Sequence, residues 1–297
     1  MAFSSPRIWI MFCLVVFAAT GVGCRRPQLP PDYTTLVEDT SDRSLFAEDA
    51  RGERIDLAEV AEPDERNEEC SGLQYLEVLT GGATHDEPLP MIVAIHGMGS
   101  RPEIFARVFS LFHEKARIIL PRGMHPLGNG FSWFSLGYVG EQYEDMVNEI
   151  ECSCKSLGGF VREAAKQHNT VGRPIVMGFS QGGMLTLTLA LKEPEGIGLA
   201  IPMAGWVPPQ LIPEAKAPGK AYPPIHLLHG ERDARLPIAW AREQTTQLQA
   251  RGFDIRLYEY KGLRHMFSRN LWPQLFALVG RELNRIDKVR ASVTSVR

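Results

Sequence analysis

The pattern of hydrophobic and polar positions in this 297-residue chain changes at about residue 70. Beyond that point, short apolar runs alternate with longer segments in which apolar residues recur at helical spacing. The short runs are typical of buried strands, and the longer segments are typical of amphipathic helices. The predicted strands are 73–79, 91–95, 117–120, 174–177, 198–203, 225–228 and 255–260, and the predicted helices are 102–115, 141–167, 184–191, 238–250 and 271–287.

Strands that alternate with helices predict an α/β fold, with a mostly parallel sheet and helices on both of its faces. We expect one domain over residues 70–290, followed by a short tail at 291–297. A long loop is predicted over 121–140. The adjacent Gly158 and Gly159 predict a break in the helix over 141–167, because glycine has a low helix propensity.

The first 23 residues have the pattern of a secretory signal peptide, in which Arg7 precedes a run of about twelve apolar residues. The small residues before Cys24 resemble the lipobox of bacterial lipoproteins, although that motif prefers Leu where Gly21 stands. This resemblance predicts lipidation at Cys24, export to the bacterial cell envelope and a membrane anchor. Cleavage to a soluble secreted protein and an uncleaved anchor are the alternatives.

Residues 24–69 have the composition of a tether. Prolines stiffen its beginning, and charged residues dominate its end, so the segment lacks the apolar residues needed for a core of its own. Within it, the piece 45–57 with Arg51 and Gly52 near its middle predicts a small hairpin.

Composition excludes some classes of function. The net charge of -3 and the absence of a basic cluster interleaved with aromatic residues argue against nucleic-acid binding. Cys152 and Cys154 alone are too few ligands for zinc, and no H-E-x-x-H motif occurs, so we expect no metal and no cofactor. In an exported chain, a disulfide from Cys70 to Cys152 or Cys154 is expected.

The strongest chemical signal is the string GFSQG at residues 178–182, which lies between a predicted strand and a predicted helix. The pattern G-x-S-x-G in that setting indicates a nucleophile elbow with Ser180 at its apex. Glycines at 178 and 182 allow strand and helix to approach closely, and the tight turn predicts a strained backbone at Ser180. The alternative is a glycine-rich turn with an inert serine.

A serine nucleophile needs a base and an acid that orients the base. In this architecture the acid precedes the histidine along the chain, and both follow strands. His265 is the histidine that follows the last predicted strand, and Asp233 follows the strand before it, with Glu231 as its rival. The sequence therefore predicts a triad of Ser180, Asp233 and His265.

Two backbone N–H groups are needed to bind the oxyanion. We expect one from Gln181, the residue after the nucleophile, and the other from Met98, in the glycine-rich loop after the strand 91–95. His96 and His229 both follow the pattern strand-His-Gly, and we interpret both as structural turn residues.

Taken together, these motifs resemble the phospholipase/carboxylesterase family of α/β-hydrolases, which includes acyl-protein thioesterases. The resemblance covers roughly residues 70–285. The segments that carry it are His96–Gly99, 121–123, 132–134, 178–183, Asp233 before Pro237, and His265. Ser135 and Arg264 depart from the residues that the family usually has at these positions, so the substrate is less defined than the mechanism.

The resemblance implies an α/β-hydrolase fold, the triad and oxyanion residues above, and hydrolysis of small-molecule carboxylic esters through an acyl-enzyme. Aromatic loop residues predict an apolar acyl pocket walled by Phe131, Trp133, Phe134 and Trp206, and the alternative is that these rings only pack the loops. The alternatives are a polyester depolymerase, a feruloyl esterase or a peptidase with the same triad, or a lipid-anchored binding protein without catalysis.

Overall fold

The computed structural model describes residues 47–48, 54–55, 65–70, 72–137, 140–266, 268 and 271–294. The predicted signal peptide and Cys24 lie outside these residues. The strands are β1 (Ala47–Glu48), β2 (Arg54–Ile55), β3 (Glu65–Cys70), β4 (Leu73–Thr80), β5 (Met91–Ile95), β6 (Ala116–Pro121), β7 (His125–Leu127), β8 (Gly130–Ser132), β9 (Ile175–Phe179), β10 (Leu199–Met203), β11 (Ile225–Gly230) and β12 (Ile255–Tyr260). The α-helices are α1 (Pro102–Ala106), α2 (Gly140–Gln167), α3 (Gln181–Lys192), α4 (Ile238–Ala250) and α5 (Trp272–Thr294).

Eight of these strands form one sheet in the order β12-β11-β10-β9-β5-β6-β4-β3. Neighbours from β12 to β6 are parallel, whereas β4 and β3 are antiparallel. The chain runs from β5 to β6 on one side and later returns to place β9 on the other side of β5. In an open α/β sheet, the carboxyl ends of strands at such a reversal are where ligand sites form.

Two apolar layers cover the sheet. Alternate residues of β5 point to opposite faces, as the two-residue period of a strand requires. Val93 belongs to an apolar cluster that includes residues of α2, α3 and α4, and Ile92 belongs to a second cluster that includes residues of α1 and α5. All five residues of β5 are buried. This double burial explains why the central strands read as continuous apolar runs rather than as alternating ones.

The sheet begins within the predicted tether. Residues Glu65–Cys70 pair with β4 as an antiparallel edge strand. A charged sequence is compatible with an edge strand, because edges are commonly protected from further pairing by charged residues. Upstream, β1 and β2 pair antiparallel with Ala47 opposite Ile55, inside the segment for which the sequence predicts a hairpin.

Other elements differ from their predicted form. The predicted helix over 102–115 is a single α-helical turn that continues as a 3-10 helix at Arg107–Leu111. Helix α2 runs through Gly158 without the predicted break. A Cβ atom at Gly158 would lie 2.9 Å from Glu193 Cβ, so the glycine serves close packing. Helix α5 extends to Thr294, into the predicted tail.

The expected disulfide is absent. Cys152 and Cys154, the two candidate partners of Cys70, are both free. Cys152 is exposed to solvent, whereas Cys154 is packed in the core, where burial raises the pKa of its thiol to about 12.

Candidate active site

Ser180 lies at a sharp turn between β9 and α3. Its backbone has φ 56° and ψ -117°, which is a strained conformation for a residue with a side chain. A Cβ atom at Gly178 would collide with the carbonyl of Gly182, and one at Gly182 would collide with the carbonyl of Ile95. Both glycines are therefore required by close backbone contacts, and the predicted elbow geometry is present.

The three predicted residues of the triad lie together. Ser180 Oγ is 2.9 Å from His265 Nε2, and His265 Nδ1 is 2.7 Å from Asp233 Oδ2. A carboxylate only accepts hydrogen bonds, so Nδ1 carries the proton and Nε2 accepts the serine hydroxyl. The imidazole also packs against the ring of Phe179, at 5.2 Å between ring centroids. The segments that follow three separate strands thus bring a hydroxyl, an imidazole and a carboxylate into two successive hydrogen bonds.

Asp233 is held on both of its oxygens. Oδ1 accepts the N–H groups of Arg235 at 2.9 Å and Leu236 at 2.8 Å, while Oδ2 faces His265. The residue is 5% exposed, so these charge-assisted hydrogen bonds act in a medium of low polarity. Its rival Glu231 is exposed, and Asp233 is the acid that contacts the histidine.

The two expected oxyanion donors lie beside Ser180. Helix α3 begins at Gln181, whose N–H belongs to the first turn and has no acceptor within the helix. A Cβ atom at Gly97 would lie 3.4 Å from Ser180 Cβ, which brings the loop of Met98 against the elbow. Within the described residues, neither Met98 N–H nor Gln181 N–H has a protein acceptor.

A hairpin of β7 and β8 joins these two donors, and sequence reasoning assigned its residues to a loop. Phe131 exchanges hydrogen bonds with the Met98 loop, accepting from Gly99 N at 2.8 Å and donating to Ser100 O at 2.9 Å. Trp133 Nε1 donates to His96 O at 2.9 Å. The three-residue strands are too short for a period-2 signal, so the sequence alone gave little sign of the hairpin.

The side chain of Gln181 fastens the end of this hairpin to the elbow. Its Oε1 accepts from Ser132 Oγ and Trp133 N, both at 3.1 Å, and its Nε2 donates to Phe134 O at 2.8 Å. The residue is 2% exposed, and the amide has donor and acceptor both engaged. The side chain of Gln181 therefore joins the hairpin to the elbow, a contact that the motif did not predict.

His96 supports the same region as a neutral residue. Its Nδ1 donates to Gly97 O at 2.8 Å, and its Nε2 accepts from Gly123 N at 3.0 Å. Burial lowers the pKa of His96 to about 4, because the charged form loses its hydration. This geometry agrees with the interpretation of His96 as a structural turn residue.

The predicted aromatic pocket is only partly supported. Trp133 and Phe134 are fully buried in the core, so they pack the fold rather than form an open wall. Phe131 is half-buried, with the Arg122 guanidinium 4.8 Å from its ring centroid. Trp206 is 9% exposed and contacts Trp240. Aromatic composition alone could not separate core rings from rings that face a pocket.

In the described part of the chain, no group of three or more His, Cys, Asp or Glu side chains could hold a metal ion. Within the same residues, no helix combines the length and apolar character needed to cross a membrane.

The sheet order and the elbow at its reversal define an α/β-hydrolase. A family model described as Phospholipase/Carboxylesterase matches residues 79–272, and the chain belongs to this family. It is 22% identical over 192 residues to lysophospholipase-like protein 1 of Mus musculus, a match that covers 60% of this chain and 80% of the mouse protein.

A thioesterase and a carboxylesterase are also similar to this chain. The chain is 22% identical over 197 residues to acyl-protein thioesterase 1 of Gibberella zeae, covering 59% of this chain and 82% of that protein. The crystal structure of a carboxylesterase from Mesorhizobium loti is similar with a TM-score of 0.62 at 17% identity, covering 73% of this chain and 99% of that one. This structural likeness supports the fold.

Proposed function

We propose that this protein is a serine hydrolase that cleaves carboxylic esters of small molecules through an acyl-enzyme on Ser180. The observation that carries the proposal is the continuous relay from Ser180 Oγ through His265 to Asp233, with contacts of 2.9 and 2.7 Å. Membership of a phospholipase and carboxylesterase family supports the same class of reaction.

Acylation follows from this geometry. His265 Nε2 accepts the hydroxyl proton as Ser180 Oγ bonds to the ester carbonyl carbon, and the carbonyl electrons move to its oxygen. The N–H groups of Met98 and Gln181 bind that oxyanion, while Asp233 stabilises the imidazolium. The tetrahedral intermediate then collapses, and the bond to the alcohol oxygen breaks. His265 gives its proton to the departing alcohol.

Deacylation repeats the same steps with water. His265 Nε2 takes a proton from a water molecule, whose oxygen attacks the acyl carbon. The second tetrahedral intermediate collapses, the bond to Ser180 Oγ breaks, and the proton returns to the serine. The proton transfers between Ser180 Oγ and His265 Nε2 join two groups that are already 2.9 Å apart.

The acyl group is proposed to lie against Phe131, the predicted pocket aromatic that is half-buried, with the small exposed part of Trp206, 9% of that residue, as a second contact. An apolar wall of this kind favours apolar acyl chains, because their binding removes apolar surface from water. The names of the relatives add thioesters and lysophospholipids as substrate classes to test.

The proposal is tested with a panel of p-nitrophenyl esters of increasing acyl length, together with a thioester, a feruloyl ester, a polyester and a peptide substrate. We expect hydrolysis of the p-nitrophenyl esters by the wild-type protein and a loss of about 10⁴-fold or more in Ser180→Ala. Activity on no ester, or ester activity unchanged in Ser180→Ala, contradicts the proposal. If the peptide or the polyester is cleaved faster than the small esters, the proposed substrate class is wrong and the proposed triad still stands.

The location of the protein is a further part of the proposal. The lipobox-like sequence before Cys24 supports lipidation and attachment to the bacterial cell envelope, with the catalytic domain joined to the anchor through the tether. In that arrangement the esters that reach Ser180 are outside the cytoplasm.

A further inference from the structure

A second histidine lies beside the catalytic acid without belonging to the triad. His229 stands near the end of β11 and is 2% exposed. The following residue, Gly230, cannot carry a side chain, because a Cβ atom there would collide with the carbonyl of Leu263 in the loop that leads to His265. The end of β11 therefore packs directly against the segment that carries the catalytic base.

The hydrogen bonds of His229 fix its tautomer. Nε2 is 2.7 Å from Leu236 O and 3.5 Å from Asp233 Oδ2, so both neighbours of this nitrogen are acceptors. Nδ1 is buried, and within the described residues it has no partner. A proton on Nδ1 would be a buried donor without an acceptor, which is costly, so the neutral ring carries its proton on Nε2.

This N–H acts on the turn from Asp233 to Leu236. Leu236 accepts from His229 through its carbonyl and donates through its N–H to Asp233 Oδ1 at 2.8 Å. Leu236 is thus held through its carbonyl by His229 and through its N–H by Asp233. A shift of Leu236 would therefore also shift the Asp233 carboxylate. We propose that His229 is a positioning residue that fixes the turn from Asp233 to Leu236 and thereby directs Asp233 Oδ2 at His265.

The charge of His229 matters for this role. Burial lowers the pKa of His229, and the charged groups that face it are Asp233, His265 and Glu259, the last of which is paired with Arg242. A protonated His229 would compete with His265 for the carboxylate and oppose the imidazolium. The neutral ring supplies a fixed N–H dipole without that competition.

The inference rests on the proposed serine mechanism and is tested by three substitutions. His229→Phe keeps a ring and removes the donor. His229→Gln places an amide N–H where Nε2–H lies, and His229→Asn is polar but too short to reach Leu236 O. The matched control is His226→Phe, because His226 lies on the same strand and hydrogen-bonds to Tyr258 rather than to the acid turn.

The expected result is a loss in kcat of about tenfold in the Phe and Asn variants, with KM within about twofold and the acid limb of the kcat/KM profile moved to lower pH. The low-field proton resonance of the His265 and Asp233 hydrogen bond should weaken or shift in both. His229→Gln should restore kcat, the pH profile and the resonance, and His226→Phe should change none of them. If the Phe variant does not fold, the Asn and Gln pair gives the same comparison.

The proposal is overturned if the variants lose stability without any change in the acid limb or the resonance, or if Gln behaves like Phe. The resonance needs no substrate, so it reports on the carboxylate even if the ester substrates are wrong. Ester activity retained in Ser180→Ala would identify failure of the serine mechanism itself, separately from the role of His229.

Discussion

A substitution of the Gln181 side chain tests whether the hairpin supports the proposed oxyanion donors, because it leaves both backbone N–H groups in place. The substitution Gln181→Leu has similar volume and leaves the backbone N–H in place. It removes the acceptor of Ser132 Oγ and Trp133 N and the amide donor of Phe134 O. We therefore expect the elbow to remain and the hairpin to loosen.

The magnitude follows from the groups that lose partners. The one proton of Ser132 Oγ lies within reach of both Phe134 O at 2.8 Å and Gln181 Oε1 at 3.1 Å, so in the variant it goes to Phe134 O. Trp133 N–H is then the group left buried and unpaired. An orphaned buried donor costs about 1–3 kcal/mol, and the other lost bonds add roughly 1 kcal/mol, giving about 2–4 kcal/mol of unfolding free energy. Removal of an oxyanion donor costs about 10²–10³ in kcat, so displacement of Met98 through the hairpin should cost about 10- to 100-fold.

The assay is kcat and KM on a short-chain p-nitrophenyl ester, with unfolding free energy from urea denaturation. The matched control is Gln244→Leu, because Gln244 is equally buried and binds the N–H and carbonyl of Val207 in the same two-sided way. We expect similar stability losses in both variants and a kcat loss only in Gln181→Leu. Wild-type kcat in Gln181→Leu despite the stability loss would refute the coupling between hairpin and oxyanion donors.

Three further predictions concern the acid, the buried histidine and the anchor. Asp233→Asn should lower kcat by about 10⁴-fold with little change in KM, because Asn favours the wrong tautomer of His265; a loss confined to KM would contradict its assigned role. Burial lowers the pKa of His96 from 6.5 to about 4, so the unfolded chain binds this proton first. Protonation of His96 therefore has no effect on stability above pH 6.5, and it destabilises the folded chain progressively between pH 6.5 and pH 4, by about 3 kcal/mol in all. Denaturation at several pH values should show a smaller decline in His96→Asn than in the wild type, and an equal decline would refute the assignment. Metabolic labelling with a fatty acid should mark the wild type and not Cys24→Ser, and equal labelling would exclude this anchor.

Most of the sheet was predictable from the sequence. The strands β5 and β12 and the helix α4 have the predicted bounds, because buried apolar runs and helical spacing are strong local signals. Strand β3 was missed, since its charged residues carry no apolar pattern and its pairing is visible only beside β4.

The residues of the candidate triad were predictable from the sequence, whereas the contacts that support them were not. Ser180, Asp233 and His265 stand out because each follows its own strand, and the order of strands brings their loops together. The contacts of Gln181 and His229 were not predictable, because they depend on which carbonyl or N–H lies within 3 Å or so in the folded chain. Whether Trp133 faces a pocket or packs the core depends on its folded neighbours in the same way.

The most direct test of the serine mechanism is mass spectrometry of the protein after reaction with a slowly hydrolysed ester or a fluorophosphonate, both of which should leave a covalent group on the nucleophile. The account predicts one covalent adduct, located on Ser180 by peptide mapping and absent from Ser180→Ala. It also predicts that the labelled protein loses ester hydrolysis in proportion to the adduct formed. An adduct on another residue, or full ester hydrolysis by protein fully labelled on Ser180, would contradict it.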